Sequence, residues 1–186
     1  MEGCWIRQPT ALCGLPFSGT GRVAIPLAAR GIPVHCIEAS QAMIDRMRSK
    51  LGGNLPVTRG DFTHAAVAGD FTLIYCVAST LYGLLSQEAQ TACCANAAAR
   101  LAPGGVFVVE GFIADLDRVT DPVEQRISST RPHGGQQLQV ELRYVLPDEL
   151  DAMASHAGLR LRDRWRDWHR GPYTGRDSYV SIYQRM

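Results

Sequence analysis

Lysine is almost missing from this chain of 186 residues: Lys50 is the only one, and every other basic side chain is an arginine. Basic and acidic residues balance, 19 against 18, so no overall field steers nucleic acid or an anionic membrane surface towards the protein. The six cysteines, Cys4, Cys13, Cys36, Cys76, Cys93 and Cys94, contain no Cys-x-x-Cys pair. His35, His64, His133, His156 and His169 are scattered. Neither a metal centre nor a disulfide framework is therefore expected. No apolar run approaches the roughly 18 residues of a membrane span, and Glu2, Arg7 and Pro9 interrupt any signal-peptide core. These absences favour a reduced, cytoplasmic chain folded as one domain over 1–186. Its hydrophobic content of 46% is enough for a real core.

The residues that are present alternate between strand and helix patterns. Ala11 to Leu15 reads as a short buried strand feeding the turn Phe17-Ser18-Gly19-Thr20-Gly21-Arg22. Its two glycines let the backbone bend sharply and approach a ligand. A helical stripe follows from Arg22 to Arg30, then a strand from Val34 to Ile37 that ends at Glu38. Ser40 is placed as the N-cap of a helix whose Met43, Ile44 and Met47 share a face. An acid at the tip of a second strand, about 20 residues after a glycine turn, is the residue that accepts from ribose hydroxyls in doubly wound folds. Further strands are read at Leu55 to Thr58, ended by Gly60-Asp61-Phe62, at Phe71 to Val77, and at Val106 to Glu110. A helix from Ser86 to Leu101 and the stop Pro103-Gly104-Gly105 separate the last two.

The alternation predicts an α/β fold with a parallel sheet and right-handed crossovers. After Gly111, residues 112–135 look polar and irregular, and Gln139 to Val145 alternates as a half-exposed strand. A helix starts at Pro147, and Leu159 to Trp168 and Ser178 to Gln184 close the chain as an antiparallel hairpin. Arg160, Arg162, Arg164 and Arg166 fall on one face of the first hairpin strand, where solvated edge protection is the expected use.

Taken in order, Gly19-Thr20-Gly21, Glu38, Gly60-Asp61-Phe62, Leu101-Ala102-Pro103-Gly104-Gly105 and the closing hairpin resemble the class I methyltransferases that use S-adenosylmethionine. Over about residues 11–186 the chain looks most similar to small bacterial enzymes acting on amino sugars and other natural-product intermediates. The resemblance implies a Rossmann-like, doubly wound, mostly parallel seven-stranded sheet with a C-terminal antiparallel hairpin. It implies methyl transfer to a nitrogen or oxygen of a small secondary metabolite. It also implies that the backbone around Phe17, Ser18, Gly19 and Gly21 approaches the methionine part of the cofactor, that Glu38 holds the ribose, and that Ala39 and Met43 pack near the adenosine. Asp61 would accept from the adenine amino group with Phe62 beside the ring, and Val77 and Ala78 would face the cofactor and the substrate pocket. Candidate bases are Glu110, at the tip of the fifth strand, and His169, in the hairpin turn.

The chain departs from the family pattern where Leu15 stands at a position that is commonly acidic, where Phe17 replaces a first glycine, and where Ser79 replaces an asparagine. Fewer residues precede Gly19 than the covering helices of relatives would need. Those helices are expected to be absent, with a second copy of the chain covering the cofactor in a homodimer. Two other readings stay open at this stage. One is a scaffold that binds the cofactor without transferring methyl, working as a cyclase, isomerase or partner subunit. The other is a nicotinamide-dependent oxidoreductase, because Gly19-Thr20-Gly21-Arg22-Val23-Ala24 also satisfies Gly-x-Gly-x-x-Ala.

Overall fold

A computed structural model describes residues 11–15, 20–68, 70–133 and 136–186. Five strands, β1 (Ala11–Leu15), β2 (Val34–Glu38), β3 (Val57–Arg59), β4 (Phe71–Cys76) and β5 (Leu101–Phe112), run parallel to one another. Helices α1 (Ala24–Ala29), α2 (Gln41–Arg48) and α3 (Gln87–Arg100) connect them. After three further strands, β6 (Val119–Asp121), β7 (Arg126–His133) and β8 (Gln136–Arg143), the chain forms α4 (Pro147–His156) and ends in β9 (Leu159–Trp165) and β10 (Ser178–Arg185). The main sheet has the order β3-β2-β1-β4-β5-β10-β9 and is mixed, because β10 is antiparallel to both of its neighbours. None of the described helices is long and apolar enough to cross a membrane.

Local chemistry sets most of the boundaries. Ser40 and Ser86 cap α2 and α3 by accepting from the amides of Met43 and Ala89. Pro147 opens α4, with Asp148 and Glu149 in the positive first turn. Along each central strand, alternate residues serve opposite faces. Ile74, Phe107, Val109 and Tyr179 pack under α3 and α4, while Tyr75, Val108 and Val180 belong to the core with Ala24 and Met47 under α1 and α2. Covering both faces is what lets a parallel sheet stay dry.

Three expectations are corrected. Residues 112–135 are not irregular: they hold β6 and β7, which form a separate three-stranded antiparallel sheet with β8 in the order β6-β7-β8. The helix does stop at Arg100, but Pro103-Gly104-Gly105 does not precede the fifth strand: it lies inside β5 as a bulge, since Phe71 pairs with Leu101 and Leu73 already with Val106. The four arginines do not share one face, because a second bulge shifts the β9–β10 register between Ile182 and Tyr183. Beyond it Arg164 turns towards α4. There it forms a bidentate pair with Asp151 at 2.5 and 3.3 Å, donates to Ser181 Oγ at 2.9 Å, and lies 5.6 Å over the Tyr173 ring. It is an internal tie between α4 and the hairpin rather than edge protection.

The small sheet is fastened to the main body by Arg143, which is 5% exposed. Its guanidinium donates to Gln90 Oε1 at 2.5 Å, to Glu149 Oε1 at 2.7 Å and to Gln125 Oε1. Gln90 Nε2 in turn donates to the Arg143 carbonyl at 3.0 Å and to the Leu84 carbonyl at 3.1 Å. β8, α3 and α4 thus share one buried polar network.

A second anchor is Tyr82, in the short 3-10 turn Thr80–Gly83. Its hydroxyl donates to the Phe112 carbonyl at 2.7 Å, accepts the Phe112 amide at 3.1 Å, and sits 3.1 Å from the Tyr179 hydroxyl. Gly111 makes this possible, since a Cβ there would stand 2.5 Å from Tyr179 and 2.7 Å from Tyr82 Oη.

Two outcomes follow from these networks. Arg143→Ala strips Glu149 and Gln90 of a buried partner and is expected to lower the unfolding free energy by about 3 kcal/mol in urea titrations. A loss within about 0.5 kcal/mol, the range of ordinary surface changes, would contradict that role. The second outcome concerns pH. Burial pushes Tyr82 from 10.0 up to about 12 and the Cys94 thiol from 9.0 up to about 12. The fold therefore holds both groups neutral where the unfolded chain ionises them. Their contribution is complete below pH 9 and is lost as pH rises through the folded values. Tyr82→Phe should make the fall of unfolding free energy between pH 10 and 12 shallower by about 1.4 kcal/mol per pH unit; identical slopes would refute this.

Candidate functional site

The parallel register places the ends of three strands side by side: Leu15 pairs with Glu38, and Glu38 with Arg59. The loops leaving β1, β2 and β3 therefore emerge together at the carboxyl edge, the ligand edge of open α/β sheets. Phe17, Ser18 and Gly19 lie outside the described residues. Gly21 adopts φ +73, and a Cβ on it would stand 2.7 Å from Ile25 Cδ1 and 2.9 Å from Met47 Cγ. A larger residue there would be strained and would push the Ile25 and Met47 side chains aside. Lys50 Nζ donates to the Thr20 carbonyl at 2.6 Å, tying the end of α2 to the same turn.

Glu38 is 1% exposed. Its Oε1 accepts the Ser40 amide at 2.8 Å, which sets the start of α2. Its main-chain carbonyl accepts the amide of Gly60 at 3.1 Å, so the tips of β2 and β3 are joined through one residue. Asp61, next in line, is exposed, and its Oδ1 takes both the amide and the hydroxyl of Thr63 at 2.8 Å. That carboxylate caps its own turn. Phe62 points away from the edge into the core beneath α3, where it is 4% exposed and its carbonyl accepts from Asn96 at 2.7 Å. Ala39 is exposed and Met43 half-buried at the start of α2.

Beyond β4 the backbone is strained. Ala78 and Ser79 have φ +57 and +56, two successive non-glycine residues in the left-handed region, each costing about 1–3 kcal/mol. Three contacts hold them. Thr80 Oγ1 donates to the Val77 carbonyl at 2.5 Å, the Tyr82 amide to the Ser79 carbonyl at 3.1 Å, and the Ala78 amide to Glu110 Oε2 at 2.6 Å. Spacing and residue type gave no sign of this turn, because nothing in Ala78-Ser79 advertises a left-handed conformation.

Beside the strained turn lies a cavity of about 530 Å³. Its walls are mostly apolar, with Leu27 of α1 and Tyr75, Val77 and Val108 of the sheet among them, and Arg22, Glu110 and Trp168 add the polar groups. The size is within the usual range for small-molecule sites, which combine apolar walls with a few polar groups. Trp168 Nε1 donates to Glu110 Oε1 at 3.0 Å. Sequence reasoning passed over Trp168 and chose its neighbour. His169 is exposed on the turn between β9 and β10, does not line the cavity, and its amide is held by Asp167 Oδ1 at 2.9 Å. The structure thus gathers Gly21, Glu38, Val77, Ala78 and Glu110 along one edge, with Asp61 on the adjoining loop, and leaves Phe62 and His169 apart from them.

A buried carboxylate at the tip of β2, near a turn whose conformation favours glycine, suits a ligand carrying ribose hydroxyls and a charged tail. Comparison with known proteins agrees with that chemistry. A profile for the methyltransferase domain matches residues 17–105. A sequence search of curated proteins gives no match. Among solved structures, the CcbJ methyltransferase from Streptomyces caelestis is similar at 31% identity, over 95% of this chain and 83% of that one, with a TM-score of 0.80. CalS10 from Micromonospora echinaspora, an amino pentose methyltransferase solved with S-adenosylmethionine, is 20% identical over 97% of this chain and 84% of that one, with a TM-score of 0.68. The glycopeptide N-methyltransferase MtfA, also solved with S-adenosylmethionine, is 13% identical over 96% and 87%, with a TM-score of 0.69. With the site geometry and the relationship to CcbJ taken together, the chain belongs to the S-adenosylmethionine-dependent methyltransferases.

Proposed function

We propose that the protein moves a methyl group from S-adenosylmethionine to a nitrogen or oxygen of a small molecule of the secondary-metabolite type. The observation that carries this is the apolar cavity of about 530 Å³ beside the strained tip of β4. It is too small for a folded macromolecule and walled for a compact, partly apolar acceptor. The amino pentose and glycopeptide acceptors in the names of CalS10 and MtfA support the same substrate class.

When bound, S-adenosylmethionine supplies an activated methyl on a sulfonium, so the protein's task is alignment. Glu38 would accept the ribose hydroxyls and fix the cofactor along the strand ends, with the turn around Gly21 at its methionine end. Asp61 would hold the adenine end with Oδ2, because Oδ1 is engaged by Thr63. Val77 and Val108 keep the reacting edge of the cavity apolar and exclude water. Holding two reactants in a near-attack arrangement lowers a barrier by about 7–11 kcal/mol, enough to make positioning the main contribution.

Calorimetric titration tests the cofactor half of this reading. S-adenosylmethionine should bind the wild-type protein, and Glu38→Ala should weaken binding at least about tenfold, the cost of a lost charge-assisted hydrogen bond to buried hydroxyls. Labelled S-adenosylmethionine presented with a panel of amino sugars and phenols tests the acceptor half. Multiple-turnover methylation of one of them is the expected result. Equal cofactor affinity in Glu38→Ala and wild type would remove the assignment of the ribose site, and methylation of nucleic acid or protein alone would remove the small-molecule assignment.

A further inference from the structure

We propose that Glu110 is a positioning residue whose two carboxylate oxygens couple the strained tip of β4 to Trp168 at the rim of the cavity. The proposal rests on the methyltransferase reading for where the cofactor lies. Glu110 is half-buried near the end of β5, beside β4 in the parallel register that pairs Cys76 with Val109. Its Oε2 accepts the Ala78 amide at 2.6 Å and its Oε1 the Trp168 indole N–H at 3.0 Å. Both are donors that keep their proton at any working pH, so each oxygen serves as an acceptor in a charge-assisted hydrogen bond. Protonating Glu110 would remove the charge that strengthens both bonds and weaken the hold on the turn that depends on one of them.

The two partners lie on segments far apart in the chain, and each is held by its own local bonds. On the β4 side, Thr80 closes onto Val77 and Tyr82 onto Ser79. On the other side, Asp167 Oδ1 takes the amides of His169 and Gly171, and Arg166 and Gly171 bond through their backbones at 2.8 Å. The carboxylate is the link between these preformed turns. Trp168, 53% exposed yet lining the cavity, is therefore placed by a hydrogen bond rather than by burial. A shift of Ala78 out of the left-handed region would move Glu110 and release the indole. The same carboxylate thus sets the backbone that faces the cofactor and the ring that borders the acceptor.

Nitrogen-15 NMR of the full chain, with Glu110→Ala, Glu110→Gln and Trp168→Phe, tests this. In Glu110→Ala the Ala78 amide should exchange about 30-fold faster, as expected for a lost hydrogen bond to a charged acceptor, and the Trp168 indole resonance should move. S-adenosylmethionine affinity in that variant should fall about tenfold, because the β4 tip is no longer pre-set. Glu110→Gln has one acceptor oxygen in place of two and should lose either the Ala78 protection or the indole position, but not both. Trp168→Phe should leave Ala78 protected. Unchanged Ala78 exchange and indole resonance in Glu110→Ala would overturn the proposal. So would undiminished cofactor affinity despite a released Ala78, which would make Glu110 structural only. If the wild-type protein bound no S-adenosylmethionine, the cofactor reading would fail by itself, while the exchange and indole data would still decide whether the carboxylate couples the two turns.

Discussion

The structure depends on one constraint, the parallel register that sets the end of β1 beside that of β2, and the end of β2 beside that of β3. Leu15, Glu38 and Arg59 stand in one row. From that row the rest of the site follows: a glycine turn leaves one strand, a buried carboxylate ends the next, and a capped acidic turn leaves the third. A slip of one residue would turn Glu38 to the opposite face, as it would every side chain of the strand. The main-chain bond from Gly60 to Glu38 at 3.1 Å and the side-chain bond from Ser40 at 2.8 Å lock that position from both sides. In the proposed placement, a cofactor stretched across three loops would be held by a sheet edge rather than by any one loop.

The second organising feature is the staple on the other half of the edge. There Glu110, Tyr82 and Gly111 hold a backbone that would not choose its own conformation. Ala78 and Ser79 bear the strain; the bonds around them offset it. Strain concentrated beside an otherwise apolar cavity is the pattern expected where a protein pre-sets a surface for a ligand instead of letting the ligand shape it. Arg143 and Arg164 do similar work further out, fastening the small sheet and the terminal hairpin to α4 through partly buried ion pairs.

Much of this was legible in the residues. The alternation of strand and helix, the glycine turn, the acid after β2 and the serine caps are all local signals, carried by a few neighbouring side chains, and they led to the fold family and to Glu38 as the proposed ribose partner. What could not be read is what depends on contacts between distant segments. The bulge that turns Arg164 inward is a register event between β9 and β10, invisible to a rule that counts every second residue. The small sheet was missed because residues 112–135 are largely polar and their strands pair with each other, with few side chains such as Ile127 reaching the core. Phe62 follows a ligand motif in sequence yet faces the packing under α3, because the turn that Asp61 caps carries its ring to the core side. Trp168 was passed over for His169 because residue chemistry favours a histidine as a base, whereas geometry brings the indole to the carboxylate.

The proposed function stands or falls on the placement of the cofactor along the strand ends, with Glu38 at the ribose. A crystal structure with S-adenosylhomocysteine bound is the most direct measurement. It should show the ribose hydroxyls about 2.5–3.0 Å from the Glu38 carboxylate, the usual span for such oxygen pairs, with the sulfur end directed towards Val77 and the cavity. A ligand bound with its ribose away from Glu38, or with its sulfur turned from the cavity, would contradict it.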